Sequence, residues 1–414
     1  MRIRFLYCTS VLLYSLLVSS TAQSQLQKIY LHPKTVAREK QSKFLDSIRF
    51  IPLEVKEGMQ AGAYYNVEVT DKYLLLKDYQ NKVIFLFLKD GRFVKNINYK
   101  QLGANFYPGY NQRTSQIVFF GNNKNYTLTP KDQVKIRLDW NNPRNRKYFK
   151  KYAIDLNDPL LTIKKEVPNE KDILQVDQYF DDYYMQGRIA PSTLYKDSLD
   201  YELKLYKGNK LVRSYFPYNR INEPRFLHTQ ENVSVSKGDM PSVFMVSRPY
   251  CDTIYQMIKD SLFPAYQLVL PLENSLPRSF YTKPFKNATE RDNYRRNNGW
   301  MLHQIQGFYE TPRFIFFSVR YFLNYDSYIY EKQTNTTYKT KNITADTSQY
   351  NLQLLPAFGL IRNARTFYRV QKAGDLITFF EKNKNTPVPK ELQDFLNSKP
   401  AATTPVIVEF KFKN

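Results

Sequence analysis

The chain has 414 residues and carries 61 Lys and Arg against 38 Asp and Glu, a net charge of +23. Two cysteines, Cys8 and Cys251, exclude a disulfide-stapled scaffold, and a chain of this length can bury enough apolar surface to hold itself together without one. The basic excess favours acidic partners through long-range attraction.

Met1–Ala22 reads as a secretory signal peptide: Arg2 and Arg4 begin it, Phe5–Val18 is apolar, and Ser20-Thr21-Ala22 offers a small-residue cleavage site. Spanning a bilayer takes about 20 apolar residues, which this interrupted run does not supply. Cys8 lacks a lipoprotein context. The expectation is export to the periplasm or the cell exterior, with Cys251 the one cysteine left. Acidic glycans, peptides, envelope proteins and the membrane surface are then the partners within reach, and the compartment disfavours nucleic acid.

Gln23–Lys43 is a polar lead-in with one expected strand at Lys28–Leu31. Ile48–Glu54 (IRFIPLE) is a strong strand. YYNVEVTD, KYLLLKD, KVIFLFLKD and GRFVKNI then follow over Tyr64–Ile97. Short runs of Val, Ile, Leu, Tyr and Phe between Asp, Asn, Lys and Gly mark antiparallel strands joined by tight turns. Asp90-Gly91 is the clearest hairpin signal, because glycine accepts the positive φ the turn needs.

The unit recurs. A second runs from Gln116 through NYTLTP and QVKIRLDW to KYAIDL, a third covers Ile173–Asn219, a fourth Arg225–Pro271 and a fifth His303–Thr344. The last holds LLPAFGLIRN, TFYRVQKAG, DLITFFEKN (read as a strand) and VIVEFKFK. Six such units predict an all-β fold, a six-bladed β-propeller over residues 44–414. Pairing of the N-terminal IRFIPLE strand with the C-terminal VIVEFKFK strand would close the ring and remove an exposed edge. Glu273–Gly299 interrupts the pattern, helical near Thr289–Asn297, and Pro389–Asn397 reads as a short helix with Leu392, Phe395 and Leu396 on one face.

Four segments carry a resemblance to the exported six-bladed β-propeller proteins of Bacteroidota: IRFIPLE, KVIFLFLKDGRFVKNI, YCDTIYQMIKDSLFPAYQL (Tyr250–Leu268) and TTPVIVEFKFK. The resemblance spans nearly the whole mature chain, contains no catalytic motif, and implies fold and compartment rather than an activity. One departure is Leu102–Gln112 (LGANFYPGYNQ), which keeps Gly103, Pro108, Gly109 and Tyr110 of the family's glycine-rich turn but lacks its acidic residue.

Chemistry is sparse. His32, His228 and His303 form no zinc motif, and no nucleophile elbow, P-loop, dinucleotide fingerprint or calcium loop is present, so no cofactor or metal is expected. His228 and His303 fall on the inner strands of the fourth and fifth units, where they could meet across the channel. Asp177, Asp181 and Asp182 form a carboxylate group that a turn explains equally well. Cys251 reads as an inert strand thiol. Tyrosine and phenylalanine, 34 and 29 of them, are the stronger signal. Tyr64, Tyr65, Tyr107, Tyr110, Tyr183 and Tyr184 are placed near the axis, with Arg113 and Arg225 to attract carboxylates or sulfates. The candidate ligand set is Tyr64, Tyr65, Tyr110, Arg113, Tyr183, Arg225, His228 and His303. A non-catalytic binding module for an acidic glycan, peptide or envelope protein, a polysaccharide lyase or hydrolase at the channel mouth, and an envelope scaffold subunit remain open.

Overall fold

The computed structural model describes residues 26–54, 56, 65–102, 108–111, 114–123, 129, 131, 147–166, 168, 178–180, 183–189, 199–207, 210–219, 222–227, 231–237, 243–355, 361–363 and 366–413. Six of the seven sheets among the described residues are the blades of a β-propeller, and the seventh pairs Arg188–Ile189 with the short strand Glu231–Asn232 that precedes blade four. Blade one is the antiparallel meander Tyr65–Val69, Tyr73–Asp78, Val83–Leu88 and Phe93–Asn98. Its Asp90-Gly91 turn behaves as the sequence requires: Gly91 has φ +93°, and a Cβ there would collide with the carbonyl of Pro52. Blade two is Gly109–Asn111, Gln116–Asn122, Phe149–Asp155 and Ile163–Glu166. The NYTLTP and QVKIRLDW segments fall almost wholly outside the described residues. Blade three is Gln178–Phe180, Tyr183–Gln186, Leu199–Lys207 and Lys210–Asn219.

Blade four is Ser234–Lys237, Val243–Ser247, Thr253–Ile258 and Ser261–Val269, and blade five is Leu302–Glu310, Phe314–Tyr321, Tyr325–Glu331 and Thr336–Thr344. Each gains a fifth, parallel strand from the lead-in: Gln27–Tyr30 on blade four and Ala37–Lys40 on blade five. The sequence reading contained the first of these, offset by one residue, and missed the second. AREK has no apolar alternation and joins its sheet through the backbone.

Blade six is Ile361–Asn363, Thr366–Lys372, Pro405–Phe412 and Leu45–Pro52. The last two pair antiparallel, with Val406 opposite Pro52 and Lys411 opposite Ser47, so strands from the two ends of the chain close the ring. DLITFFEKN is not a strand. It lies in the helix Ala373–Lys382, whose Ala373, Leu376 and Phe380 fall on one buried face, a helical rather than a two-residue period. The second helix between the blade-six strands is Lys390–Asn397, which buries Leu392.

Blades pack face to face through aromatic layers. Between blades five and six, Phe316 meets Phe412 with ring centroids 4.4 Å apart, edge to face. The excursion after blade four forms the helices Arg278–Thr282 and Ala288–Asn297. The second begins with reciprocal capping: Asn287 accepts from the Glu290 amide at 3.0 Å, and the Glu290 carboxylate accepts from the Lys286 amide. This excursion covers the ends of blades four and five and walls the candidate site.

Candidate functional site

A cluster of buried polar side chains lies where blades three, four and five meet the helical excursion. Glu202, fully buried on the third strand of blade three, is gripped by Arg248, whose Nε donates to it at 2.8 Å and Nη2 at 2.5 Å. Burial would depress the Arg248 pKa, and the Glu202 carboxylate more than reverses this, so Arg248 stays charged. Arg248 also lies 4.2 Å from the centroid of the Phe216 ring, which its guanidinium covers.

Arg225 stands beside this pair on the short turn Pro224–Phe226. Its nearest carboxylate oxygens are those of Glu223 at 3.4 Å and Glu202 at 3.9 Å, longer than charge-assisted hydrogen bonds. Two rings hold it instead, Phe226 at 4.7 Å and Tyr281 at 5.5 Å from the guanidinium carbon. The Arg225 side chain is only 13 % exposed. A mostly buried guanidinium without a closer carboxylate among the described residues retains capacity for an anion.

Behind them sits a closed triad. The Tyr250 hydroxyl donates to Glu231 at 2.9 Å, and His303 Nε2 lies 3.0 Å from the other Glu231 oxygen. The Tyr250 and His303 rings stack with centroids 5.0 Å apart. Burial pushes the His303 pKa down, so the ring is neutral and its Nε2–H donates. Burial alone would raise Glu231, but the bonds from His303 and Tyr250 hold its carboxyl below the usual range. His303 Nδ1 is buried without a hydrogen-bond partner. Tyr250 has φ +59°, a conformation that costs energy outside glycine. It is pinned by its amide bond to the His303 carbonyl at 2.5 Å and by the Tyr281 hydroxyl, which donates to its carbonyl at 2.6 Å.

In front of Tyr250 opens a pocket of about 380 Å³. Its polar lining includes Arg225, Arg248, Cys251, Asp252 and Tyr281, and Leu270, Leu276 and Leu302 supply apolar wall. Burial raises the Cys251 thiol, so it stays protonated and is a poor nucleophile, and burial pushes Tyr281 up to about 12. No cluster of three or more His, Cys, Asp or Glu placed to hold a metal occurs among the described residues.

Of the residues picked from sequence, Arg225 lines this pocket, and His303 lies behind it, linked through Tyr250. Tyr110 packs on the blade-two core, and Tyr183 packs in blade three with the Lys207 ammonium 5.3 Å from its ring centroid. Tyr64, Arg113 and His228 lie outside the described residues, as does the side chain of Tyr65. Glu202, Glu231, Arg248, Tyr250, Asp252 and Tyr281 were not among the candidates. The available signal was the Tyr250-Cys251-Asp252 run, where a bulky residue interrupts the strand pattern and takes a left-handed conformation.

The family model described as "Domain of unknown function (DUF4934)" matches residues 29–411. No curated protein matches significantly. Among solved structures, a "Putative exported protein" of Bacteroides fragilis is similar at 13% identity and a TM-score of 0.55, covering 94% of this chain and 100% of its own. A member of the duf4221 family from Bacteroides vulgatus is similar more weakly, at 10% identity and a TM-score of 0.41, with 89% and 97% covered. The Bacteroides fragilis protein shares the fold, as the sequence resemblance implies.

Proposed function

The chain belongs to the DUF4934 family, a domain of unknown function that brings no activity with it, and from the pocket chemistry we propose that it is an exported binding module for a carboxylate-bearing ligand. The observation that carries this reading is Arg225, mostly buried, facing a 380 Å³ cavity, with no carboxylate oxygen among the described residues nearer than 3.4 Å. A ligand carboxylate there would gain hydrogen bonds that the protein leaves unmade. Arg248 adds a second guanidinium, already half-committed to Glu202. The signal-like N-terminus and the exported description of the Bacteroides fragilis relative support the compartment. The acidic glycans, peptides and envelope proteins that a basic exported chain would meet all carry such carboxylates.

Binding is favoured over a lyase or hydrolase because the tyrosine and histidine at this site already hold a buried carboxylate. The Tyr250 hydroxyl and His303 Nε2 are both committed to Glu231. The test is isothermal titration of the mature protein with uronic-acid oligosaccharides and short peptides, alongside neutral glycans and amidated peptides. Carboxylate forms should bind and neutral forms should not. Arg225→Ala should weaken binding at least about tenfold, the value of one lost charged hydrogen bond. Equal binding of neutral and acidic forms, or indifference to Arg225→Ala, would refute the reading.

A further inference from the structure

We propose that the ligand of this pocket is a zwitterion, a free amino acid or short peptide, with its carboxylate on Arg225 and its ammonium on Asp252. This rests on the carboxylate-binding reading above and narrows it.

Asp252 lines the same cavity as the two arginines. Its oxygens accept from Thr253 Oγ1 at 3.0 Å and Gln267 Nε2 at 3.1 Å, one neutral donor each, which leaves acceptor capacity on both. Asp252 makes no ion pair among the described residues. The ion pairs of Arg225 and Arg248 run instead to Glu202 and Glu223. A carboxylate and two guanidiniums thus face one cavity without touching across it. A solute with one charge of each sign can bridge that gap, giving each end charge-assisted hydrogen bonds.

Size and sign narrow the class further. The cavity holds about a dozen waters' worth of volume, room for an amino acid or dipeptide. Leu270, Leu276 and Leu302 can receive an apolar side chain. A uronic-acid oligomer brings no cation, so it would leave Asp252 facing a like charge, an arrangement that disfavours wrong partners.

The experiment titrates the mature protein with a panel of Ala-Xaa dipeptides, their N-acetylated and C-amidated forms, and a galacturonate oligomer. At least one free dipeptide should bind. Acetylation should weaken it tenfold or more, and Asp252→Asn should weaken the free form while leaving the acetylated form unchanged. Amidation should also weaken binding, in an Arg225-dependent way. The blocked ligands test the assignment in the unmodified protein, so poor folding of Asp252→Asn cannot mask the answer. If acetylated peptide or galacturonate binds as tightly as the free dipeptide and Arg225→Ala abolishes it, the zwitterion is wrong and the carboxylate site stands. If no carboxylate in the panel binds, both fall.

Discussion

His303 is where pH should act on this protein. Its imidazole is fully buried, and its pKa in the folded chain lies below the ordinary value of about 6.5. As pH falls through 6.5 the unfolded chain takes up this proton first, so stability is complete above that point and declines below it. Glu231 titrates in the same sense at lower pH, because its folded value is also depressed: its contribution is present above the ordinary carboxyl range and lost as pH drops through the folded value. Thermal melts between pH 7.5 and 4 should therefore show the midpoint dropping from about pH 6.5 downward. His303→Gln, which keeps a donor toward Glu231, should remove the upper part of that fall. An unchanged profile would place the proton-linked group elsewhere. His303→Ala leaves a buried carboxylate with one partner fewer and should cost about 3 kcal/mol in denaturant melts. None of this partnership was legible in the sequence. Glu231 and His303 are joined only when blade five's inner strand lies against the short strand before blade four.

At the scale of elements, the lead-in is a strap paired along blades four and five, and its last residues are fastened by side chains. Gln41 is fully buried; its Nε2 donates to the Leu352 carbonyl at 3.0 Å, and its Oε1 accepts from the amides of Leu354 and Leu355 at 2.8 and 3.0 Å. Lys43 follows at 3.1 Å from Glu331, which Arg313 also holds at 2.7 Å. Gln41→Ala would leave two buried amides without acceptors and should cost about 3 kcal/mol. Lys43→Ala should cost only about 1 kcal/mol, because Arg313 still compensates Glu331. Chemical unfolding of the two variants checks the ranking, and a larger loss for Lys43→Ala would mean that the ion pair, not the amide-capping glutamine, fastens the strap. The blade strands could be read from sequence because they are short runs rich in Val, Ile, Leu, Tyr and Phe between turn formers, as in Val83–Leu88 (VIFLFL). AREK could not, since a parallel edge strand of polar residues carries no such pattern. DLITFFEKN misled because a short apolar run fits either period until its neighbours are known. The pocket was opaque for a related reason: Glu202, Arg225, the Arg248–Asp252 link and Tyr281 come from four separate segments, and only Arg225 drew attention alone.

For the whole molecule, the ring is closed by strands from opposite ends of the chain. Arg49 and Glu409, 360 positions apart, sit opposite each other and form an ion pair at 3.1 Å. Bringing such distant segments together carries a loop-closure cost that local hairpins avoid, so blades built from consecutive strands should form before the closing pair. The Pro52 carbonyl also lies against the Gly91 turn of blade one, which seats the closing strand only once that blade exists. Pulse-labelled hydrogen exchange during refolding should show amides of blades one, four and five protected first, and those of Leu45–Pro52 and Pro405–Phe412 last. Early protection of the closing strands would reverse this order and make closure the nucleus. The same logic separates two truncations. Deleting the chain from Thr403 onward removes the strand between Thr366–Lys372 and Leu45–Pro52 and should abolish the cooperative transition. Deleting residues 23–36 removes only the outermost strand of blade four and should lower the midpoint while leaving a single transition in the melt.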